Sequence, residues 1–415
     1  MSKLDELIHQ LCPDGVEWKT LNDIGEFFGG LTGKSKNDFI DGNAAFITYS
    51  NIYSNPSLNL NIDEKVRIDD GEKQNVIQYG DILFTGSSET PEECGMSSVV
   101  TKEPTEKMYL NSFSFGLRLF ELDKFNSDYL KHLFRSAEIR KEICKTANGV
   151  TRFNVSKKKM GEIAIPHPPL PVQEEIVRIL DTFTESTNNL KEQIQTRRKQ
   201  YEYYRNQLLD LEGKEGVEIR TIGSITKVFS ASRVHKNEWT KNGVPFWRSS
   251  DLMSFFNGIE NPKGKAYISH ELYEKLSAKS GKICKDDILV TGGGSIGIPY
   301  IVPNNNPLYV KDADLLCIVH NKCFKSKYLY YYMLSTRFRN YLSDITHNAV
   351  IAHYTISQIN TTPIPLPSLS EQERIVSILD QFEASIANLE AQLKEREKQY
   401  EYYRNQLLDF KKKEE

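Results

Sequence analysis

Cys317, His320 and Cys323 are residue types that hold zinc, and Thr291-Gly292-Gly293-Gly294-Ser295-Ile296-Gly297 has the glycines of a phosphate-cradling turn. Neither completes a site. On an alternating strand Cys317 and His320 point to opposite faces and cannot share one ion. The glycine run lacks the Lys-Ser/Thr that follows in a P-loop and the acid of a dinucleotide fingerprint, which leaves a tight turn, either near a DNA backbone or plainly structural. Pro13-Asp14 followed by Glu17-Trp18-Lys19 imitates a nuclease carboxylate cluster, yet two intervening residues cannot put the second acid on a separate strand. A DNA adenine methyltransferase needs a Gly-rich cofactor turn and an Asn/Asp-Pro-Pro-aromatic loop for its flipped base. The single Pro-Pro, Pro168-Pro169, stands between His167 and Leu170. No catalytic residue and no metal site are expected.

Binding chemistry is more legible. Between 131 and 159 lie Lys131, Arg135, Arg140, Lys141, Lys145, Arg152, Lys157, Lys158 and Lys159, opposed only by Glu138 and Glu142. A counterpart of Lys322, Lys325, Lys327, Arg337 and Arg339 meets no acid until Asp344. A charge run is ordinarily a solvated face, but one at the same place in two halves of a chain is also the footprint of a polyanion site.

The elements that must position these residues come in two copies. The twelve residues KQYEYYRNQLLD at 199–210 recur at 398–409, and upstream Gln173, Glu174, Ile176, Val177, Ile179, Leu180, Asp181 and Phe183 recur at the same offset. Ile165-Pro166 with Pro168 returns as Ile364-Pro365 with Pro367, an extended lead that ends a domain. Apolar residues after each lead alternate steps of four and three, a heptad seam interrupted at Thr187 and Arg197 in the first copy and at Arg396 in the second, the arginine charges in core positions being expected to set the register of a helix pair. Two helices of about 36 residues, roughly 54 Å each, are predicted to pair antiparallel within the chain, because the short link 212–216 places the second globular region at the far end of the first helix. The heads repeat faintly: Asp81-Ile82-Leu83 with Thr85-Gly86 matches Asp287-Ile288-Leu289 with Thr291-Gly292. Strands are expected at 45–49, 244–247, 308–310 and 315–319, and helices at 129–143 and 328–341. The division is a first head at 1–165, a helix at 166–212, a second head at 213–363 and a helix at 364–415: an α/β (α+β) chain of two tandem heads and two long antiparallel coiled-coil helices with a pseudo-twofold repeat.

A chain of 415 residues has room for two to three domains. Its 39% hydrophobic content holds no apolar run near the ~18 residues of a membrane span, and its first residues lack a signal-peptide core, so a cytoplasmic chain is expected. Six cysteines without tight even spacing indicate reduced thiols. The net charge of −3 is uneven, with −5 over 1–165 against +7 over 213–363.

Two diverged heads, each closed by Ile-Pro-x-Pro, a Gln-Glu-x-Ile-Val-x-Ile-Leu-Asp helix start and a heptad helix ending in Tyr-Arg-Asn-Gln-Leu-Leu, resemble the specificity subunit of type I restriction-modification systems over essentially the whole chain. The resemblance implies target recognition domains that each read one half of a bipartite double-stranded DNA site. It further implies helices that set the spacing and dock two methyltransferase subunits, with restriction (motor and nuclease) subunits in the full complex. S-adenosylmethionine, ATP and Mg would then reside on those partners, with no membrane involved. Contact candidates are polar and basic residues in loops beside strands: Lys34, Ser35, Lys36, Tyr49, Ser50, Asn51, Asn148, Thr151 and Arg152 in the first head, and Arg233, His235, Lys236, Arg248, Ser249, Ser250, Ser295, His347 and His353 in the second. Arg152 with Lys157, Lys158 and Lys159, a run without an acid, is expected to meet mainly phosphate.

Heptad packing accounts for identity at Tyr201, Tyr204 and Leu208, but not at the outward positions Gln200, Glu202, Tyr203, Arg205, Asn206 and Gln207. A shared partner for both helices would, and the candidate docking residues are Tyr203, Arg205 and Gln207 with Tyr402, Arg404 and Gln406. These identities argue against the alternative of a free-standing coiled-coil DNA-binding or structural protein without enzyme partners.

Overall fold

A computed structural model describes residues 2–258, 266–346 and 353–413. The chain divides into one unit of residues 1–191 with 391–415 and another of 192–390, so each unit joins one head to part of each long helix.

The β-branched and aromatic runs form the strands. In the first unit Gly25–Gly29, Ser114–Leu119, Ile82–Thr85 and Ser97–Val99 make an antiparallel sheet in that order, with Ile82 opposite Leu117. Lys65–Val66, Ala44–Ile47 and Met108–Leu110 make a smaller sheet whose last pair is parallel. The second unit repeats both sheets. Val228–Ser230, Leu315–Ile318, Ile288–Thr291 and Pro299–Ile301 form the first, and Ala266–Ile268, Val244–Trp247 and Tyr309–Val310 the second, again with a parallel last pair. The Ile-Pro leads are edge strands, where a missing N–H is tolerated: Trp18 faces Pro166 and Ile219 faces Pro365. The strand expected at 45–49 stops at Ile47, because the Thr48 side chain caps the helix Tyr49–Ser54 by accepting from the Asn51 N–H.

Each helix expected after the sheets is two helices. Ser127–Leu133 and Ala137–Lys145 replace the single element at 129–143, and Ser326–Leu334 and Thr336–Thr346 the one at 328–341. The breaks fall at Ser136 and Ser335, whose hydroxyls bond back to the carbonyls of Leu133 and Tyr332; Ser335 Oγ also accepts from the Phe338 N–H at 3.3 Å, whereas Ser136 makes no forward cap. The first N–H of each following helix is paired from the long helix of the same unit: Asn405 Oδ1 accepts from the Ala137 N–H at 2.9 Å, and Asn206 Oδ1 from the Thr336 N–H at 2.9 Å. Asn206 and Asn405 are therefore equal because each caps its own head.

The long helices, Leu170–Leu209 and Leu369–Leu407, exceed the expected length by a few residues at their proline-flanked starts. In the first unit Phe183 stacks on Tyr403 at 5.2 Å and Lys191 pairs with Glu397; in the second Phe382 stacks on Tyr204 at 5.4 Å and Arg198 pairs with Glu390. Rising numbers on one helix meet falling numbers on the other, so the pairing in each unit is antiparallel. Arg396 lies over the Phe183 ring and Arg197 over Phe382, at 5.7 and 5.8 Å. The arginine interruptions of the seam are thus cation–π pins that fix register.

One layer of this junction differs between the units. Buried His132 meets Asp181 through Nε2 and the Tyr400 hydroxyl through Nδ1, both at 2.8 Å, with Lys131 and Asp128 beside it. Its counterpart Tyr331 donates to Asp380 and Glu383. Burial holds the imidazole below its ordinary value against the opposing pull of Asp181. On acidification the unfolded chain therefore binds the proton first. The stability this histidine contributes is complete above the ordinary value near 6.5 and is lost as pH falls through it. Urea midpoints of the first unit should drop between about pH 7 and 5, and His132→Tyr should flatten that slope. An unchanged slope in the variant would remove His132 from the pH response.

Candidate nucleic-acid interface

In the first unit Ser87–Ser88 pairs with Phe153–Val155, which turns back on Ala147–Gly149 and leaves Thr151 and Arg152 exposed at the bend. The Tyr49 hydroxyl donates to the Ser87 carbonyl at 3.0 Å, and Tyr49 stacks on Tyr53. Tyr49, Ser50, Thr151 and Arg152, distant in sequence, thereby line one cavity of about 670 Å³. Arg152 Nε donates to Ser87 Oγ at 3.2 Å while its guanidinium lies over Phe113. Lys157, Lys158 and Lys159 stand exposed on the short helix Lys157–Gly161, and the Lys157 ammonium lies over Phe115.

Other candidates serve the frame. Asn51 is 9% exposed, its amide donating to Asn59 O and its Oδ1 accepting from Asn55 and the Asn59 N–H, so this polar side chain is a loop staple. The Lys34 ammonium is spent on Glu72, whose carboxyl it holds down at about 2. Ser35 donates to Asp38 at the start of a 3₁₀ turn, exposed Lys36 follows it, and exposed Asn148 donates to the Thr146 carbonyl. Tyr53, Ser88, Glu93 and Phe113 line the cavity without having been singled out by sequence. The available signal was the Thr85-Gly86 match to Thr291-Gly292, which marks the loop entering Ser87.

The second head places its candidates differently. The glycine run is a turn closed by the Thr291 hydroxyl on Ser295 O and by the Gly297 N–H on Thr291 O, with Gly297 at φ 71°. Ser295 is exposed there, and His353 bridges Gly293 as Asn154 pairs with Ser87 in the first head. Arg233, His235, Lys236 and Ser250 are exposed. Arg248 pairs with Asp251 and lies over Trp239, and Ser249 donates to Asp314 O, which ties both to the frame. His347 lies outside the described residues. Cys317 is buried, whereas the His320 ring meets Ser326 Oγ and Cys323 is exposed, so the three do not converge.

The basic runs are not continuous surfaces. Arg135 donates to the carbonyls of Ser97, Ile52 and Tyr53, and Arg140 to those of Gly95, Glu92 and Cys94. Burial, and then the neighbouring Arg140 charge, push Arg135 down to about 10. Lys131 pairs with Asp128 and Asp181, and Lys145 with Glu142. In the second run Lys325 pairs with Glu373, Lys327 with Asp380 and Arg337 with Asp210 and Glu212, while Arg339 donates to Ile296 O. A sequence count registers these charges without seeing that carbonyls and carboxylates already consume them.

The repeated helix face is built alike in each unit. Tyr203 is 62% and Tyr402 57% exposed, each edge-on to the next tyrosine, and Gln207 and Gln406 are exposed. Arg205 lies over Tyr201 and Arg404 over Tyr400, each at 5.2 Å, and the Nε of each is buried without a hydrogen-bond partner. Identity at the arginines is partly a demand of their own unit.

A family model described as the type I restriction modification DNA specificity domain matches residues 13–197 and again 214–398. The chain belongs to that family. A Haemophilus influenzae protein named as a type I restriction enzyme specificity subunit is 32% identical over 302 residues, 69% of this chain and 73% of that one. In solved structures, a chain from work on complex assembly and conformational transition of the type I R-M system aligns with a TM-score of 0.61 at 19% identity, over 96% of this chain and 97% of that one. The HsdS subunit from Thermoanaerobacter tengcongensis gives 0.52 at 19% identity over 96% of both. At these identities the structures establish a shared fold. The two matches of the specificity-domain model each span a head and the first part of a long helix, so the tandem organisation of the chain is two copies of that domain, and the identical run at 199–210 begins just beyond the first match. Among the described residues no helix is long and apolar enough to cross a membrane.

Proposed function

We propose that this chain is the DNA-reading specificity subunit of a type I restriction-modification complex. Each head reads one half of a bipartite duplex site, and the two helices set the spacing and dock two methyltransferase subunits. The observation that carries the reading is one frame used twice with unlike loops: Ser87–Ser88 with Arg152 stands in the first head where the glycine turn with His353 stands in the second. A repeated scaffold presenting different side chains suits two different half-sites. The same exposed tyrosine and the same unpartnered arginine Nε on both helices suit two copies of one partner. On this reading methyl transfer, with S-adenosylmethionine, and cleavage, with ATP and Mg, belong to methyltransferase and restriction subunits, and the chain itself is a non-catalytic cytoplasmic component.

The test is enrichment of duplexes from a randomised pool by the purified complex. Two fixed half-sites separated by an unspecified gap are expected; a single continuous site, or no enrichment, would overturn the reading. In the same assay Lys157, Lys158 and Lys159 changed together to Gln should weaken binding to all sequences alike and reduce the salt slope by about two to three, from roughly 0.9 per phosphate contact. A loss confined to one sequence would assign these lysines to bases.

A further inference from the structure

The cavity of the first head holds a carboxylate where a polyanion is proposed to arrive. Glu93 Oε1 accepts from the Tyr53 hydroxyl at 3.1 Å and Oε2 from Ser88 Oγ at 2.9 Å. These hydroxyls and that of Thr90 hold its carboxyl below the usual range, so it is charged at neutral pH. Among the described residues no ion pair neutralises it. Its position is fixed: Tyr53 stacks on Tyr49, and the Tyr53 carbonyl accepts from Arg135. The same cavity is lined by Phe113, 63% exposed, with the Arg152 guanidinium over its ring.

A charged, unneutralised acceptor beside a DNA backbone is repelled by phosphate, which offers no donor. The donors that duplex DNA presents in its major groove are exocyclic amino groups, N4 of cytosine and N6 of adenine. A carboxylate has about four acceptor positions, so the hydroxyls leave at least one open. We infer that Glu93 is a specificity-determining residue of the first head, accepting a hydrogen bond from the exocyclic amino group of a base in the DNA half-site read there. The inference rests on the DNA-reading function proposed above. It adds a sign: this side chain raises affinity for one base and lowers affinity for DNA in general.

The experiment compares full-length wild-type chain with Glu93→Gln, in the assembled complex, on a randomised duplex pool and on a duplex lacking the enriched site. One position of one half-site should favour cytosine or adenine in the wild type. The variant should relax that preference roughly tenfold to a hundredfold while every other position keeps its base and affinity for the unrelated duplex stays equal or rises. Retention of the other positions in that half-site shows that the head is folded. Glu93→Asp, which keeps the charge with a shorter reach, should keep the base identity with reduced discrimination and serves if the Gln variant does not fold. An unchanged preference at every position, or an even loss across the half-site, overturns the assignment to Glu93 and leaves the DNA-reading function standing. A wild-type chain that enriches no sequence overturns both.

Discussion

Changing Tyr203 and Tyr402 to alanine is expected to leave the chain folded and to strip both of the proposed methyltransferase copies from the assembled complex, with each single change removing one copy. The two rings are 62% and 57% exposed, so their truncation opens no core cavity and should move stability by no more than about 0.5 kcal/mol. Exposed aromatic anchors at a protein interface cost about 2 kcal/mol or more when truncated, which is roughly a thirtyfold loss of affinity for each copy. Arg205 and Arg404 are poorer targets, because each lies over a tyrosine of its own unit and its loss would disturb the helix junction as well. The mass of the complex reassembled from purified subunits decides the matter. A two-copy complex from the double variant would place the docking surface elsewhere on the chain.

Arg135→Ala should destabilise the first head by about 3 kcal/mol and leave the salt dependence of DNA binding unchanged. The side chain donates to three carbonyls, those of Ser97, Ile52 and Tyr53, and its removal leaves buried acceptors unpaired at about 1 kcal/mol or more each. For a unit of this size that corresponds to a melting transition lower by about 6–12 °C. Lys158→Gln, an exposed change later in the same basic run, should melt like the wild type while lowering the salt slope. The pair separates charges that build the head from charges that face solvent. If Arg135→Ala melted normally and bound DNA more weakly, the arginine would belong to the binding surface after all.

The elements that depend on local pattern were legible from the residues. Both long helices follow from apolar steps of four and three, the entry strands from Ile-Pro leads, and the tandem organisation from an identical twelve-residue repeat. Family membership was legible in the Ile-Pro leads, the helix starts and the identical helix ends. The identity of the sheets in the two heads was not. Alternating burial constrains only residue class, so side chains drift while strand order persists, and the common four-stranded and three-stranded arrangements emerge only when the strands are paired.

Three decisions belonged to tertiary structure alone. The first N–H groups after the breaks at Ser136 and Ser335 are paired by Asn405 and Asn206, more than a hundred residues away along the chain, and at Ser136, which makes no forward cap of its own, no local propensity contains that partner. The fate of each cation depends on what lies within hydrogen-bond reach: Arg135 and Arg140 found carbonyls, whereas Lys157, Lys158 and Lys159 kept their charge at the surface. The cavity of the first head required segments around 49, 88, 93, 113 and 152 to converge, and sequence spacing carries no information about which of several polar loops will line one cavity. Chain pattern determined the elements and their repetition, because those follow from periodicity within a helix or strand. Which side chains remain free to meet DNA was decided by long-range hydrogen bonds, because a polar group is available to a ligand only after the fold has left it unpaired.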